Sequence, residues 1–517
     1  MKRSPSNSGK RPAADPDRVF VSAFDATQAS GQAARGGAMI IAANLLGFVV
    51  TITSTAILAR LLTPAAFGMI AMTATMTTLL MMFADAGLTQ ATIQRREITY
   101  GQLSALFWIN LAVGAGLATL CFLVAPWLAW LYDEPGLTDV TRTLAANFLL
   151  LGAAVQFTAV INRQLRFKIT ALIALMAPIA GALAALLLAW WGAGVWALVA
   201  QLVVTEIVRL VASISLAGWF PGLPTRAKGV GSMLRFGGNQ LLFNVIIYLV
   251  HNADRVLIGA YLGPYLLGLY DRSAQMIRLP VRLIIFPLNP VMLPTLSRLQ
   301  DQPDEYRRVY VGAISKITMV SYPATIAMAL LAPEIVYILL GPQWDEAAPI
   351  FALLAVSSLT NPISRSLTWL WISQGRVREQ LHWGILITST IVPAFAVGLA
   401  WGANGVAAAA ALTLVCMHPI EIGMATRKGP VAWRAVTDAL VPGAIGAAVM
   451  AAVILGLRQS GLVPANPFVA IVPLSACAAI SLIATYGLLP SARRPLLEAA
   501  DTLAMWIGLR RAPSPPA

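Results

Sequence analysis

The sequence is short of charge. Only 11% of its 517 residues are Asp, Glu, Lys or Arg, whereas 58% are hydrophobic; a soluble globular chain carries about 25% charged residues. So few ionic groups cannot clothe a water-soluble fold, and that class is excluded. Cysteine is nearly absent. Cys121, Cys416 and Cys477 lie far apart inside apolar runs, which leaves neither a disulfide framework nor a cysteine metal site. No GxxxxGK[ST] stretch occurs, so an obvious built-in nucleotide engine is missing. Extramembrane domains with paired acids are missing too: the longest expected outside connections, 127–142 and 341–349, are short, and the Asp15/Asp17 pair precedes every apolar run.

What is present is a succession of long apolar runs. A spanning helix needs roughly 20 apolar residues, and fourteen such stretches follow one another from about 37–59 to 468–489. The 39 Gly and 32 Pro scattered within them suit membrane helices, where neighbouring helices re-satisfy freed backbone groups. The expected architecture is an all-α polytopic membrane protein of about 14 transmembrane helices, built from two parallel six-helix repeats plus two extra helices. Its segments are a disordered cytoplasmic tail (1–34), an N-terminal six-helix bundle (35–220), a C-terminal six-helix bundle (221–430), two additional helices (431–490) and a cytoplasmic tail (491–517).

The 36 Lys and Arg exceed the 22 Asp and Glu by a formal +14. In a membrane chain this excess speaks of orientation rather than of nucleic acid. With both termini cytoplasmic, most of the basic residues fall inside, and Arg60, Arg142, Arg272 and Arg458 fall outside. Trp127, Trp190, Trp191, Trp344, Trp383, Trp401 and Trp433 lie at expected span ends, as an interfacial aromatic belt requires.

The two halves are copies. Arg35, Gly37 and Asn44 recur as Arg235, Gly237 and Asn244, and LLTPAAFG (61–68) recurs as YLGPYLLG (261–268), all at an offset of 200. Further on the offset is 210, where NRQLRFK (162–168) answers ISQGRVR (372–378) and WGAGVWAL (191–198) answers WGANGVAAA (401–409). Six spans separate the copies, an even number, so both halves share one orientation about an axis along the membrane normal. Two such bundles around a shared cleft suit alternating access.

Charges within spans are costly and usually face a bundle interior or an aqueous cavity. In the seventh span (239–260), Gln240, Asn244, Tyr248, His251 and Arg255 fall within about 80° of arc at 100° per residue. In the eighth (274–297), Asp271, Gln275, Arg278, Arg282 and Asn289 form a similar stripe, interrupted by Pro280, Pro287, Pro290 and Pro294. The tenth (348–371) supplies Asn361, Ser364 and Arg365. The first-half counterparts are milder, with Thr51, Thr55, Thr78 and Met82 in place of His251, Arg255, Arg278 and Arg282.

Candidates for the substrate path are therefore Arg255, Arg278, Arg282, Arg365, Asn244, Gln275 and Asn361, the guanidinium forks being suited to phosphate oxygens. A structural alternative stands beside this: Arg255 pairs with Asp254 or another acid, and Arg278 snorkels or bridges to Asp271. Arg209, near the inner end of the sixth span, is expected to pair with Glu206 at i+3 or to snorkel. Asp254 and His251, with His418, are the titratable groups open to ion coupling, although a lone His in a bundle is more often hydrogen-bonded structure. Asp85 and Glu421 lie toward expected cytoplasmic ends, where capping or surface ion pairing accounts for them. No metal site and no cofactor are expected.

Several stretches resemble the polysaccharide transporter branch, the Wzx-type flippases, of the multidrug/oligosaccharidyl-lipid/polysaccharide exporter superfamily. They are LLTPAAFG, FADAGLTQATIQRRE (83–97), ADRVLIGAYLGPYLLGLYDRS (253–273), PVMLPTLSRLQDQPDEYRRVY (290–310) and LLGPQWDEAAPIF (339–351). The similarity spans roughly 35–490. It implies a transporter, not an enzyme, that moves undecaprenyl-diphosphate-linked oligosaccharide across a bacterial inner membrane, with the lipid-linked oligosaccharide, the phospholipid bilayer, and a polysaccharide polymerase and chain-length regulator as partners. A lipid II-type flippase and a multidrug/cation antiporter of the same superfamily remain open alternatives, as does a membrane enzyme acting on lipid-linked sugars. The expected topology is checked by reporter fusions. One placed after Trp344 should report periplasm and one after Arg427 cytoplasm, and the reverse pattern would sink it.

Overall fold

The computed structural model describes residues 19–21, 29–85, 97–223, 248, 252–285, 288–489 and 493. Helices account for nearly all of them. In chain order they are α1 (Ala29–Leu61), α2 (Pro64–Asp85), α3 (Tyr100–Leu131), α4 (Leu137–Arg163), α5 (Phe167–Trp190), α6 (Val195–Ala217), α7 (Ala253–Ile285) and α8 (Asn289–Arg298). There follow α9 (Pro303–Leu330), α10 (Ala332–Leu340), α11 (Ala347–Ser357), α12 (Asn361–Ser373), α13 (Val377–Gly398), α14 (Gly402–Thr426), α15 (Trp433–Gln459) and α16 (Pro467–Leu488). Among the described residues, eleven stretches are long and apolar enough to cross a membrane; one of these, Val377–Thr426, comprises both α13 and α14. Most of the expected seventh span lies outside the described residues. The expected eighth begins earlier than 274, because α7 breaks at Gly263 (φ 80°, ψ 179°) and resumes at Pro264.

Three expectations are corrected here. The amino-terminal segment is not wholly without structure: β1 (Val19–Val21) pairs antiparallel with β2 (Glu97–Thr99), and α1 starts at Ala29. Arg272, expected in an outside connection, sits on α7 about two and a half turns past its break. Trp344 and Trp383 are buried rather than interfacial, whereas Trp190, 84% exposed, and Trp191 and Trp401 remain on the surface as a belt requires.

The chain forms two compact units. The first comprises Met1–Leu62 and Met69–Asn252; the second comprises Thr63–Gly68 and Ala253–Ala517, and so includes α15 and α16. In the first, α3 packs along α4, α5 along α6, and α1 on α5. In the second, α13 packs along α14, α9 along α15, and α15 on α16.

The repeat has a physical content. At an offset of 210, α5 and α6 answer α13 and α14, and Phe157, Val160, Ile161 and Ile173 of one core answer Leu367, Leu370, Trp371 and Trp383 of the other. The first core adds Phe107 and Trp219, whose rings meet Phe157 edge-on with centroids at 5.7 and 5.4 Å, a favoured aromatic geometry. Arg166 donates to the carbonyl of Leu216 at the end of α6. Its counterpart Arg376 donates to the carbonyls of Met424, Ala425 and Lys428 at the end of α14. Both arginines thereby satisfy carbonyls that a helix C-terminus leaves without partners.

The turn before each of these arginines is left-handed: Gly375 has φ 69°, and at the same place the first unit carries Leu165 at φ 52°. A second repeat feature is a close approach inside the second unit. A Cβ on Gly68 would stand 1.7 Å from the Pro264 carbonyl oxygen, and one on Gly268 would stand 2.0 Å from that of Pro64. Two equivalent turns thus meet backbone to backbone, each glycine receiving the other's proline. Substitutions at these two features should act in opposite directions. Gly268→Ala should cost at least about 1 to 3 kcal/mol through overpacking. Leu165→Gly, at a side chain 36% exposed, should gain about 1 kcal/mol by relieving the left-handed strain. Thermal unfolding of the purified variants in detergent reads both signs.

Candidate functional site: an ion network in the second unit

The break at Gly263 folds α7 back on itself. Eight residues before it stands Arg255 and eight after it Asp271, each about 12 Å along its helix from the turn at 1.5 Å per residue. Arg255 Nε donates to Asp271 Oδ1 at 2.9 Å. One residue nearer the chain start on each side, the Tyr270 hydroxyl donates to Asp254 Oδ2 at 2.8 Å. These two bonds cross the break and fix its angle.

Asp271 is the centre of the network. Only 4% exposed, it also receives Arg272 Nη2 at 2.8 Å and Gln275 Nε2 at 2.7 Å on Oδ2. Arg255, 5% exposed, donates its backbone N–H to Asp254 Oδ1 as well. Arg272 lies over the Phe67 ring at 5.0 Å, and Phe67 meets Trp344 edge-on at 5.4 Å. The cation–π contact and the two carboxylates together keep buried guanidiniums compensated. Further along α7, Arg278 is exposed and electrostatically coupled to Tyr270. Counting it, three guanidiniums face two carboxylates, so the cluster is cationic.

Among its described residues the first unit has no such network. Its counterparts at an offset of 200 are Ser54, Thr55, Ile70 and Ala71, and Ser54 merely donates to the carbonyl of Thr51.

The expected site residues divide accordingly. Arg255, Asp254 and Gln275 belong to the network and are committed to partners within it. Arg278 lies beside it with its side chain exposed. Asn361 and Arg365 are exposed on α12. Asn244 and His251 lie outside the described residues, and so does the side chain of Arg282, whose backbone is helical. Tyr248, of the same expected stripe, donates to the carbonyl of Thr75 at 2.9 Å within the first unit. Arg209 pairs with Glu206 at 2.9 Å. Tyr270 and Arg272 were not among the expected site residues. Their proximity to Asp254 and Asp271 depends on the sharp turn at Gly263, which helical periodicity does not carry.

Among the described residues no group of His, Cys, Asp and Glu has the arrangement of a metal site. The arrangement stabilises a reversal of the chain and presents guanidinium charge beside it.

The fold is that of a known transporter class. The lipid II flippase MurJ, in an inward closed conformation, superposes with a TM-score of 0.67 at 10% identity, over 88% of this chain and 98% of that one. An inward-facing multidrug resistance MATE family transporter of the MOP superfamily superposes with 0.52 at 13% identity, over 79% and 98%. The chain has the multi-pass helical fold of these membrane transporters. Within that class it belongs to the polysaccharide biosynthesis protein family, which it matches over residues 57–349, more than half its length.

Among its relatives, the lipopolysaccharide biosynthesis protein WzxC of Escherichia coli (strain K12) is 23% identical over 66% of this chain and 70% of its own. The succinoglycan biosynthesis transport protein ExoT of Rhizobium meliloti (strain 1021) is 28% identical over 64% and 67%.

The network's structural weight is measurable. Asp271→Asn removes the carboxylate that pairs with both Arg255 and Arg272, leaving Asp254 alone to compensate them, and should cost about 3 to 5 kcal/mol. Gln275→Ala, which removes one donor from an exposed residue, should cost no more than about 1.5 kcal/mol. Unfolding of the two variants in detergent should show that ranking, and equal losses would refute it.

Proposed function

We propose that this transporter moves undecaprenyl-diphosphate-linked oligosaccharide repeat units from the cytoplasmic to the periplasmic leaflet of a bacterial inner membrane, by alternating access, with both termini cytoplasmic. The polymer served is an exopolysaccharide, capsule or lipopolysaccharide, and a polysaccharide polymerase and a chain-length regulator act next on the product. The observation that carries the reading is the join of family and charge. A member of a polysaccharide biosynthesis family holds exposed guanidinium at Arg365, inside a candidate membrane span, and at Arg278, beside a cationic cluster. A diphosphate is the part of such a substrate that these groups bind well, through charge-assisted forked hydrogen bonds.

Arg255 contributes differently from the other candidates. Its guanidinium is spent on Asp271, so it sets the shape of α7 and adds to the local potential. Arg282 lies four residues beyond Arg278 on the same helix. A carrier of organic cations gains nothing from such a lining, which disfavours the drug-pump alternative. The lipid II alternative shares the diphosphate and differs in the sugar.

Arg278→Ala and Arg365→Ala should each weaken a contact worth about 1.5 to 3 kcal/mol, roughly ten- to a hundredfold in affinity, while the protein folds normally. Arg278→Lys, which keeps charge but loses the fork, should be intermediate. The measurement is polymer export at matched membrane levels, with flipping of fluorescent lipid-linked oligosaccharide and of lipid II compared in proteoliposomes. Wild-type export by both alanine variants would remove these two residues from the mechanism.

A further inference from the structure

Toward the end of α14, charge divides into a sealed group and an open one. Glu421 is 3% exposed; it accepts the Ser364 hydroxyl from α12 at 2.6 Å and lies 3.2 Å from His418 Nδ1. It is thus neither a cap nor a surface ion pair, contrary to what its place near a span end suggested. Beyond it, residues 427–432 join α14 to α15. The candidate spans on either side end at Thr426 and begin at Trp433, and six residues, reaching at most about 20 Å, keep the loop at the membrane surface.

This loop and its neighbours are strongly basic. Arg427, Lys428 and Arg434 are exposed, and Lys428 reaches Glu379 Oε1 at 3.4 Å. Trp433, 38% exposed, stands among them as the first residue of α15, a place that suits an interfacial indole. On α13, Arg378 is exposed one residue before Glu379. Over 374–382 and 424–438 the cations are Arg376, Arg378, Arg427, Lys428 and Arg434, and the acids are Glu379 and the exposed Asp438. Glu379 is already shared by Arg376 and Lys428.

The patch is held in one shape. Arg376 binds the carbonyls of Met424, Ala425 and Lys428, and donates to Gln374 Oε1 at 3.0 Å. Gly429 has φ 124°, and a Cβ there would stand 2.6 Å from the same Gln374 oxygen, so the turn requires glycine. The first unit shows that this clamp needs no cations around it. At an offset of 210, Arg166 binds the end of α6, whereas Ala217, Gly218 and Pro224 stand in place of Arg427, Lys428 and Arg434. Helix termination therefore does not account for these three charges, and orientation of the chain counts charge without asking for a shape.

We infer that the cations of the α14–α15 loop, with Trp433 among them, bind the headgroup of an anionic phospholipid in the cytoplasmic leaflet. The choice of leaflet rests on the topology proposed above. The surface of that leaflet is negative, and each Lys or Arg held near it is attracted. Guanidinium offers forked hydrogen bonds to phosphate oxygens. A zwitterionic headgroup carries the same phosphate, but its own cation is repelled by the patch, so selection falls on net charge.

The test needs neither transport nor an oriented membrane. Full-length protein in neutral detergent is titrated with phosphatidylglycerol or with phosphatidylcholine of the same acyl chains, and bound lipids are counted by native mass spectrometry. The wild type should hold the first phosphatidylglycerol at least about tenfold more tightly than phosphatidylcholine, because each cation near an anionic headgroup is worth about fivefold. The triple variant Arg427→Gln, Lys428→Gln, Arg434→Gln should lose that preference. Arg307→Gln with Arg308→Gln, which removes cations from the exposed ion pairs of α9, should keep it. Should the triple variant fail to insert, Arg427→Gln alone serves and should weaken phosphatidylglycerol about fivefold.

Equal retention of the two lipids by the wild type, or a preference that the triple variant keeps, overturns the site. A loss as large in the α9 variant overturns it in favour of attraction by net charge alone. Displacement of the lipid by inorganic phosphate at matched concentration overturns the lipid assignment in favour of a soluble anion. A periplasmic reading from the reporter after Arg427 would refute the leaflet and the topology together, and leave the binding measured in detergent standing.

Discussion

The turn at Gly263 depends on one carboxylate. In water the contacts of Asp271 would be worth little, because exposed ion pairs gain modest energy and are screened. In the dry interior of the second unit the same contacts are obligatory: each guanidinium left without a counter-charge would cost several kcal/mol, and so would the carboxylate itself. Three donors converging on one side chain therefore do more than add stability. They leave the chain one low-energy way to turn, and the direction of everything that follows along α7, including the exposed Arg278, is set by that turn.

The repeat distinguishes what the scaffold needs from what one half has acquired. Features shared by the copies serve backbone demands: an arginine over a helix end, a left-handed residue before it, and a core of matching positions. The copies part company where charge enters the membrane. Thr55 and Ala71 occupy the places of Arg255 and Asp271, and at an offset of 210 Val208 and Val211 occupy those of His418 and Glu421. At these positions the second unit carries ionic groups on a frame that the first unit builds from uncharged ones.

Much of this frame was legible in the sequence. The repeat, the proline and glycine of the LxPxxxG stretches and the succession of spans all follow from spacing, and the pairing of Arg209 with Glu206 follows from helical reach. Periodicity reports which residues share a helix face; it is silent about which other element covers that face. That is why Trp344, apparently interfacial, proves to be buried against Phe67, and why Glu421, near a span end, proves to be sealed beneath α12. Arg255 had two acids within reach of a plausible argument, and the choice of Asp271 required the angle at Gly263. The strand formed by Val19–Val21 was hidden for a different reason: three residues in a polar tail carry too little pattern to announce a pairing with a loop far along the chain.

The meeting of Gly68 with Pro264 and of Gly268 with Pro64 has a genetic consequence. Side chains that touch can drift together, since a larger residue on one side is answered by a smaller one on the other. Here backbone touches backbone, and there is nothing smaller than glycine with which to answer. After the duplication that the repeat records, this position tied each copy to the other's turn. The oldest symmetry of the chain survives at the spot where compensation is impossible.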